Sequence, residues 1–156
     1  MLPFIQKSYA NIFEDFYNIT NGNIILGGSL SLKMQNVISR DINDLDLAIN
    51  KSDWIKYESK IIKKYKIYYG QLIHLPPKME HRVSTCFNKK NKNEFHLFIN
   101  NIENDMFNIV IYNNNPIRVF KPELHLLDKE YMLADDITNL KNISDIDSIK
   151  NYLNAK

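Results

Sequence analysis

The sequence predicts an α/β (α+β) domain, a mixed β-sheet flanked by helices, on three observations. The chain has 156 residues, which suits one domain around one core, so residues 1–156 read as a single unit. Hydrophobic residues make up 44% and charged residues 24%, an ordinary globular balance. Helical periodicity alternates with short apolar runs in the first half, then gives way to hairpin patterns and finally to helices.

Residues 3–19 carry Ile5, Tyr9, Ile12, Phe16 and Ile19 at helical spacing, with Phe13 and Tyr17 widening the stripe. Asn21-Gly22 ends that helix. Asn23 to Leu26 is a short apolar strand running into Gly27-Gly28. Ser29 to about Ile38 is a helix, with Leu30, Met34 and Val37 on one side. Leu45 to Ile49 is a strand and Ser52 to Lys64 a helix. Lys66 to Ile73 reads as one strand closed by Pro76-Pro77. Two hairpins follow: 82–87 with 94–99 across NKKNKN, and 106–112 with 117–120 across NNNP. Pro122 starts a helix to about Leu133, and a last helix covers about Ser144 to Leu153.

The totals also restrict the setting. No apolar run approaches the roughly 20 residues of a membrane span. The opening MLPFIQKSYANIF lacks the basic start and continuous apolar stretch of a secretory signal. The lone Cys86 has no internal disulfide partner and reads as an inert strand residue. A cytoplasmic protein is the expectation. The net charge of +2 conceals an asymmetry. Residues 1–50 carry three Lys/Arg and five Asp/Glu, residues 51–93 eleven and three, residues 94–156 six and ten. The basic middle is either a solvated face or an attractor of polyphosphate or nucleic acid. Trp54, Tyr57, Tyr65, Tyr68 and Tyr69 stand among its lysines, and either fill the core or offer an aromatic, basic surface to an RNA acceptor.

Chemistry concentrates in two short motifs. In Asp44-Leu45-Asp46-Leu47, residues two apart face the same way on a strand. Two carboxylates about 6–7 Å apart then share one face while both leucines enter the core. Their repulsion falls if a divalent cation sits between them, and such cations favour oxygen ligands. Gly27-Gly28-Ser29 lies between a strand and a helix. Glycines let backbone approach a ligand, and the helix start offers free N–H groups to a phosphate. Taken singly, the acids can be merely exposed and Ser29 an ordinary N-cap.

Together, LGGSLSLKMQNVISRDINDLDLAI resembles the nucleotidyltransferase superfamily, which includes polymerase-β-like enzymes and the small MNT-like and AbiEii-like proteins. Arg40 fits the Arg-x-x-x-Asp-x-Asp form of the AbiEii-like branch. VFKPELHLLDKEYML resembles that branch's C-terminal helix, with Lys129 at its lysine position, and NLKNISDIDSIKNYL places Lys141 and Asp145 in a Lys-x-x-x-Asp match. The resemblance implies the minimal nucleotidyltransferase fold and transfer of a nucleoside monophosphate from a triphosphate such as ATP to an acceptor hydroxyl of RNA, protein or a small molecule. It implies Mg2+ (or Mn2+) on Asp44 and Asp46. It assigns nucleotide contacts to Gly27, Gly28, Ser29, Arg40 and Lys129. A third acid usually completes the family's site. Here the candidate strand offers Glu94, the better chemical match, and His96, the better positional one, with Asp105 more remote. That departure leaves room for a non-catalytic nucleotidyltransferase-like binding or structural module.

Overall fold

A computed structural model of the protein describes residues 2, 5–70, 72–75, 79–90 and 92–156, with backbone alone at 72–75, 79–83, 131 and 135. Helix α1 (Lys7–Ile19) buries Ala10, Ile12, Phe13 and Phe16. It starts later than residue 3, because the first turn is closed onto the Gln6 carbonyl by the N–H groups of Tyr9 and Ala10. Asn21 and Gly22, at φ 53° and 81°, then reverse the chain into β1 (Ile25–Leu26). Helix α2 (Gly28–Met34) begins one residue before Ser29. It also ends early. Asn36 adopts φ 60°, and the Val37 N–H returns to the Leu32 carbonyl at 2.9 Å, a left-handed stop that turns the chain away before Ile38. Strand β2 (Asp46–Asn50) leads directly into α3 (Lys51–Ile61), whose N-cap is the Asn50 side chain.

The strand expected over 66–73 divides into β3 (Tyr65–Tyr68) and β4 (Leu72–Leu75) around Gly70. Both pair antiparallel with one long strand, β5 (Met79–Asn88). Pro76 and Pro77 lie outside the described residues. The first hairpin joins β5 to β6 (Glu94–Asn100), running from Arg82 opposite Ile99 to Phe87 opposite Glu94. A single 3-10 turn at Asn104–Met106 precedes β7 (Phe107–Tyr112) and β8 (Asn115–Phe120). Their connection is two residues, Asn113 and Asn114, at φ 47° and 62°. Both values are positive, as a type I′ hairpin turn requires, and asparagine tolerates them. Asn115 and Pro116 therefore belong to the strand rather than the loop. Helices α4 (Pro122–Asp135) and α5 (Leu140–Asn154) complete the chain. The last starts ahead of Ser144, because the Asn139 side chain accepts the Asn142 N–H and caps it there.

The sheet runs β3-β5-β6-β2-β1-β8-β7, with β4 beside β5 off this path. Pairs β2–β6 and β1–β8 are parallel, the others antiparallel, so the sheet is mixed. One face carries Leu26, Leu45, Leu47, Ile49, Phe95, Leu97, Ile117 and Val119 into the main core, to which all five helices contribute. Phe16, Tyr65 and Phe95 meet there with ring centroids 5.0–5.6 Å apart. Among the described residues the opposite face has a small cluster around Ile25, Ala48 and Ile102 at one end. The other end of that face stays open, and the acids lie there. Among the described residues no helix is long and apolar enough to cross a membrane.

Candidate active site

The glycine turn fits against Asp46. The Gly27 N–H donates to the Asp46 carbonyl at 2.8 Å. Gly28 has φ +58°, and a Cβ placed on it would collide with the Asp46 carboxylate. Both facts demand glycine at this position. Gly27 serves as the N-cap of α2, so Ser29 is not the cap. The Ser29 hydroxyl instead accepts from Nη2 of Arg40. Ser29, Arg40, Asp44, Asp46 and Lys141 line one small cleft with Ile42 and Asn43.

Leu45 and Leu47 are buried on the core side, whereas Asp44 is exposed and Asp46 half-buried. Asp44 lies just ahead of β2 rather than in it. On the neighbouring strand, His96 is the direct register partner of Asp46. Its Nδ1 is 3.2 Å from Asp46 Oδ1. That hydrogen bond, with the charges of Asp46, Glu94 and Asp44, raises the imidazole pKa against a smaller opposing effect of burial. Glu94 stands two residues earlier on the same face and is exposed. The charges of this cluster also act on Tyr9 of α1. Its phenol pKa is raised, by burial first and then by the charges of Asp44 and Glu94. The periodicity that puts Tyr9 on the helix's apolar stripe gave no sign of that electrostatic influence.

Behind the cleft lies a buried ion cluster. Asp145 of α5, 1% exposed, accepts from Arg40 Nε at 2.9 Å and Nη2 at 2.8 Å, and pairs with Lys129 Nζ at 2.9 Å. Burial acts to raise the Asp145 pKa, but the hydrogen bonds and charges of Arg40 and Lys129 outweigh it and hold the carboxyl below its usual range. Lys129 is 7% exposed and does not line the cleft. Its ion pair with Asp145 links it to Ser29 by way of Arg40. The lysine that does line the cleft is the exposed Lys141, one turn before Asp145. A second buried pair supports the turn itself. The Ser31 hydroxyl donates to the Gly28 carbonyl at 2.7 Å and lies 2.6 Å from His125 Nε2. A hydroxyl has one proton, so His125 must be the donor to Ser31, as a neutral imidazole protonated on Nε2. Burial and the nearby Lys129 charge keep it neutral, with its pKa lowered to about 4. Cys86 is fully buried, which pushes its thiol up to about 12 and leaves it inert. Asp105 lies in the 3-10 turn and is not among the residues lining the cleft.

The donor chemistry suits a hard divalent cation in part. Asp44 and Asp46 present carboxylate oxygens to one cleft, beside backbone and a hydroxyl suited to phosphate. Among the described residues, however, no group of three or more His, Cys, Asp or Glu side chains is arranged to hold a metal alone. A cation there needs further oxygens from a ligand.

No protein-family model and no curated protein matches the sequence. Solved structures do match the fold. A presumed nucleotidyltransferase from Thermotoga maritima aligns over 97% of this chain and 96% of its own, at 13% identity and a TM-score of 0.57. An antigenic nucleotidyltransferase-like protein from Paracoccidioides brasiliensis aligns over 92% of this chain and 74% of its own, at 13% identity and a TM-score of 0.48. A Helicobacter pylori protein aligns over 80% of this chain and 57% of its own length, at 17% identity and a TM-score of 0.42. The first of these, matched over nearly the whole of both chains, establishes the architecture: this protein has a nucleotidyltransferase-like fold.

Proposed function

We propose that this chain is a metal-dependent nucleotidyltransferase, moving a nucleoside monophosphate from a nucleoside triphosphate to an acceptor hydroxyl and releasing pyrophosphate. The observation that carries this reading is the seating of the Gly28 turn on the Asp46 carboxylate, with Ser29 and Asp44 on the same cleft. In this reading the backbone at Gly28 and the hydroxyl of Ser29 hold the terminal phosphates. Arg40 and Lys141 balance their charge, and Lys129 keeps Asp145 charged so that Arg40 stays aimed at Ser29. Asp44 and Asp46 would hold Mg2+ or Mn2+, together with triphosphate oxygens. When bound, such ions neutralise the triphosphate and favour ionisation of the attacking hydroxyl. The acceptor oxygen forms a bond to the α-phosphorus as the bond to the bridging oxygen breaks, and pyrophosphate leaves. His96 takes the acceptor proton on Nε2, since Nδ1 is engaged by Asp46.

The test is incubation with labelled nucleoside triphosphates, Mg2+ or Mn2+, and a cell extract, alongside Asp46→Asn. Labelled acceptor with the wild type and none with the variant supports the reading. A ligand bound only by the native state stabilises it by RT ln(1 + [L]/Kd), about 2.7 kcal/mol at a hundredfold excess over Kd. The melting temperature should therefore rise with Mg2+ and triphosphate, and Asp46→Asn should lose that rise while still folding. The imidazole beside Asp46, in place of a third carboxylate, favours the alternative of a non-catalytic binding module. Nucleotide-dependent stabilisation without any transfer would establish that alternative. No stabilisation and no transfer would sink both.

A further inference from the structure

The open end of the sheet carries a second surface in register with the acids. Tyr68 pairs with Thr85, Thr85 with His96, and His96 with Asp46, so these four residues form one row across β3, β5, β6 and β2. Residues in register share a face. The adjacent row holds Lys66, Phe87 and Glu94. Tyr65 and Phe95 point the other way, into the core with Trp54 and Tyr57. Of the aromatics in the basic segment, three are thus core residues, and Tyr68 is 52% exposed on the site's own face.

Tyr68 and Phe87 make an edge-to-face pair with centroids 5.7 Å apart. Lys66 Nζ lies 5.1 Å from the Tyr68 ring centre. Exposed lysines gather where these rows begin. Lys63 and Lys64 precede β3, and Lys89, Lys90 and Lys92 form the β5–β6 turn. The Lys89 N–H donates to the Lys64 carbonyl, which fixes the two groups side by side. Lys64 pairs with Asp15 at 3.5 Å, and the Lys89 ammonium donates to the Ile62 carbonyl. The acids near this patch are Glu94 and Asp46 in the rows themselves, Asp44 at the cleft, and Asp15 on the helix side, where it also accepts from the Tyr65 hydroxyl. Solvent-facing aromatic rings in a field of lysines are a stacking platform with phosphate partners.

We propose that this surface docks the end of a single-stranded RNA, stacking its bases on Tyr68 and Phe87 and pairing its phosphates with Lys66 and the turn lysines. Three strand spacings separate Tyr68 from Asp46, about 14 Å, the reach of a terminal nucleotide or two. A base on Tyr68 therefore brings the strand's last hydroxyl toward His96 and Asp46. Thr85 stands between the rings and His96 in the same row, where its hydroxyl can bond a ribose 2′-OH, the group that separates RNA from DNA. The acceptor role rests on the nucleotidyl-transfer reading, but the binding does not.

Fluorescence anisotropy with an end-labelled single-stranded RNA of about a dozen nucleotides, without nucleotide or metal, reads the binding directly. Tyr68→Ala should weaken it roughly five- to hundredfold, the cost of one lost base–aromatic stack. Lys66→Ala and Lys92→Ala should each flatten the dependence of log K on log salt by about 0.7 for every phosphate contact removed. Thermal melts of the same variants check that they fold. Loss of RNA binding in Tyr68→Ala, with transfer absent in every form, supports this surface and sinks the enzyme reading. Transfer to a protein or small molecule by a chain that binds no RNA overturns this surface and leaves the enzyme reading intact. Unchanged affinity in Tyr68→Ala, or equal affinity for duplex RNA or a DNA strand of the same sequence, also overturns it.

Discussion

Replacing Asp145 by asparagine tests the buried ion cluster. One carboxylate, 1% exposed, serves two cations there. Asparagine keeps the volume and removes the charge. Lys129, 7% exposed and 2.9 Å from Asp145, then has a buried ammonium facing a neutral amide. Breaking a buried pair in this way costs about 3–5 kcal/mol. The Arg40 side chain is 25% exposed, so water can relieve its share, and the lower end of that range applies. For a chain of this size, about 3 kcal/mol lowers the melting temperature by roughly 6–12 °C. Denaturant melts at pH 7 measure the loss, and the midpoint should shift at constant slope. Lys129→Met in the Asp145→Asn background should cost less than in the wild type, because the unpaired charge goes with it. A coupling of at least about 1 kcal/mol is expected for groups in direct contact. The sign with pH follows from the lowered Asp145 pKa. The stabilisation is complete above the unfolded carboxyl's range and disappears as pH falls through the folded value. A loss under about 1 kcal/mol, or additive effects of the two substitutions, would refute the picture of Asp145 as the buried counter-ion of both cations.

Gly28→Ala should fold with a loss of about 1–2 kcal/mol for the left-handed backbone and lose nucleotide-dependent stabilisation, because its Cβ displaces the Asp46 carboxylate. Intact nucleotide stabilisation in that variant would show that the turn does not hold the ligand. His125 has its pKa lowered to about 4 from 6.5 in a site facing Lys129, Asp46 and Asp145. Between those values the unfolded chain binds the extra proton, so stability falls with falling pH by about 3 kcal/mol in all. His125→Gln should flatten that slope in urea melts between pH 7 and 4, and a slope unchanged by the substitution contradicts the buried neutral imidazole.

Local spacing made much of the molecule legible. The two hairpins follow from alternation and turn residues within a dozen positions. Ser29, Arg40, Asp44 and Asp46 come together because a short helix and a return loop bring the chain back beside the glycine turn just where β2 begins. What was not legible depends on distant partners. Arg40 meets Asp145 across 105 positions, and Ser31 meets His125 across 94. No periodicity encodes those pairs. Lys129 sits on a helix whose pattern does not distinguish a buried ion partner from a cleft lysine. Gly70 splits an apparently continuous strand, because the run over 66–73 does not reveal that both halves pair with the same neighbour.

Strand β1 has only two residues, yet it joins the two wings of the sheet. Ile25 and Leu26 bond to Ala48 and Leu47 on one side and to Arg118 and Val119 on the other. The β7–β8 hairpin is local and closes by itself, whereas its attachment to β1 spans most of the chain, a slow kind of closure. The glycine turn starts at the next residue after this stitch. The long-range pairing of β1 with β8 thus fixes the strand from which the glycine turn departs, so the cleft's geometry depends on the sheet being joined across β1. Amide exchange at Ile25 and Leu26 would then report the whole molecule's opening rather than local fraying.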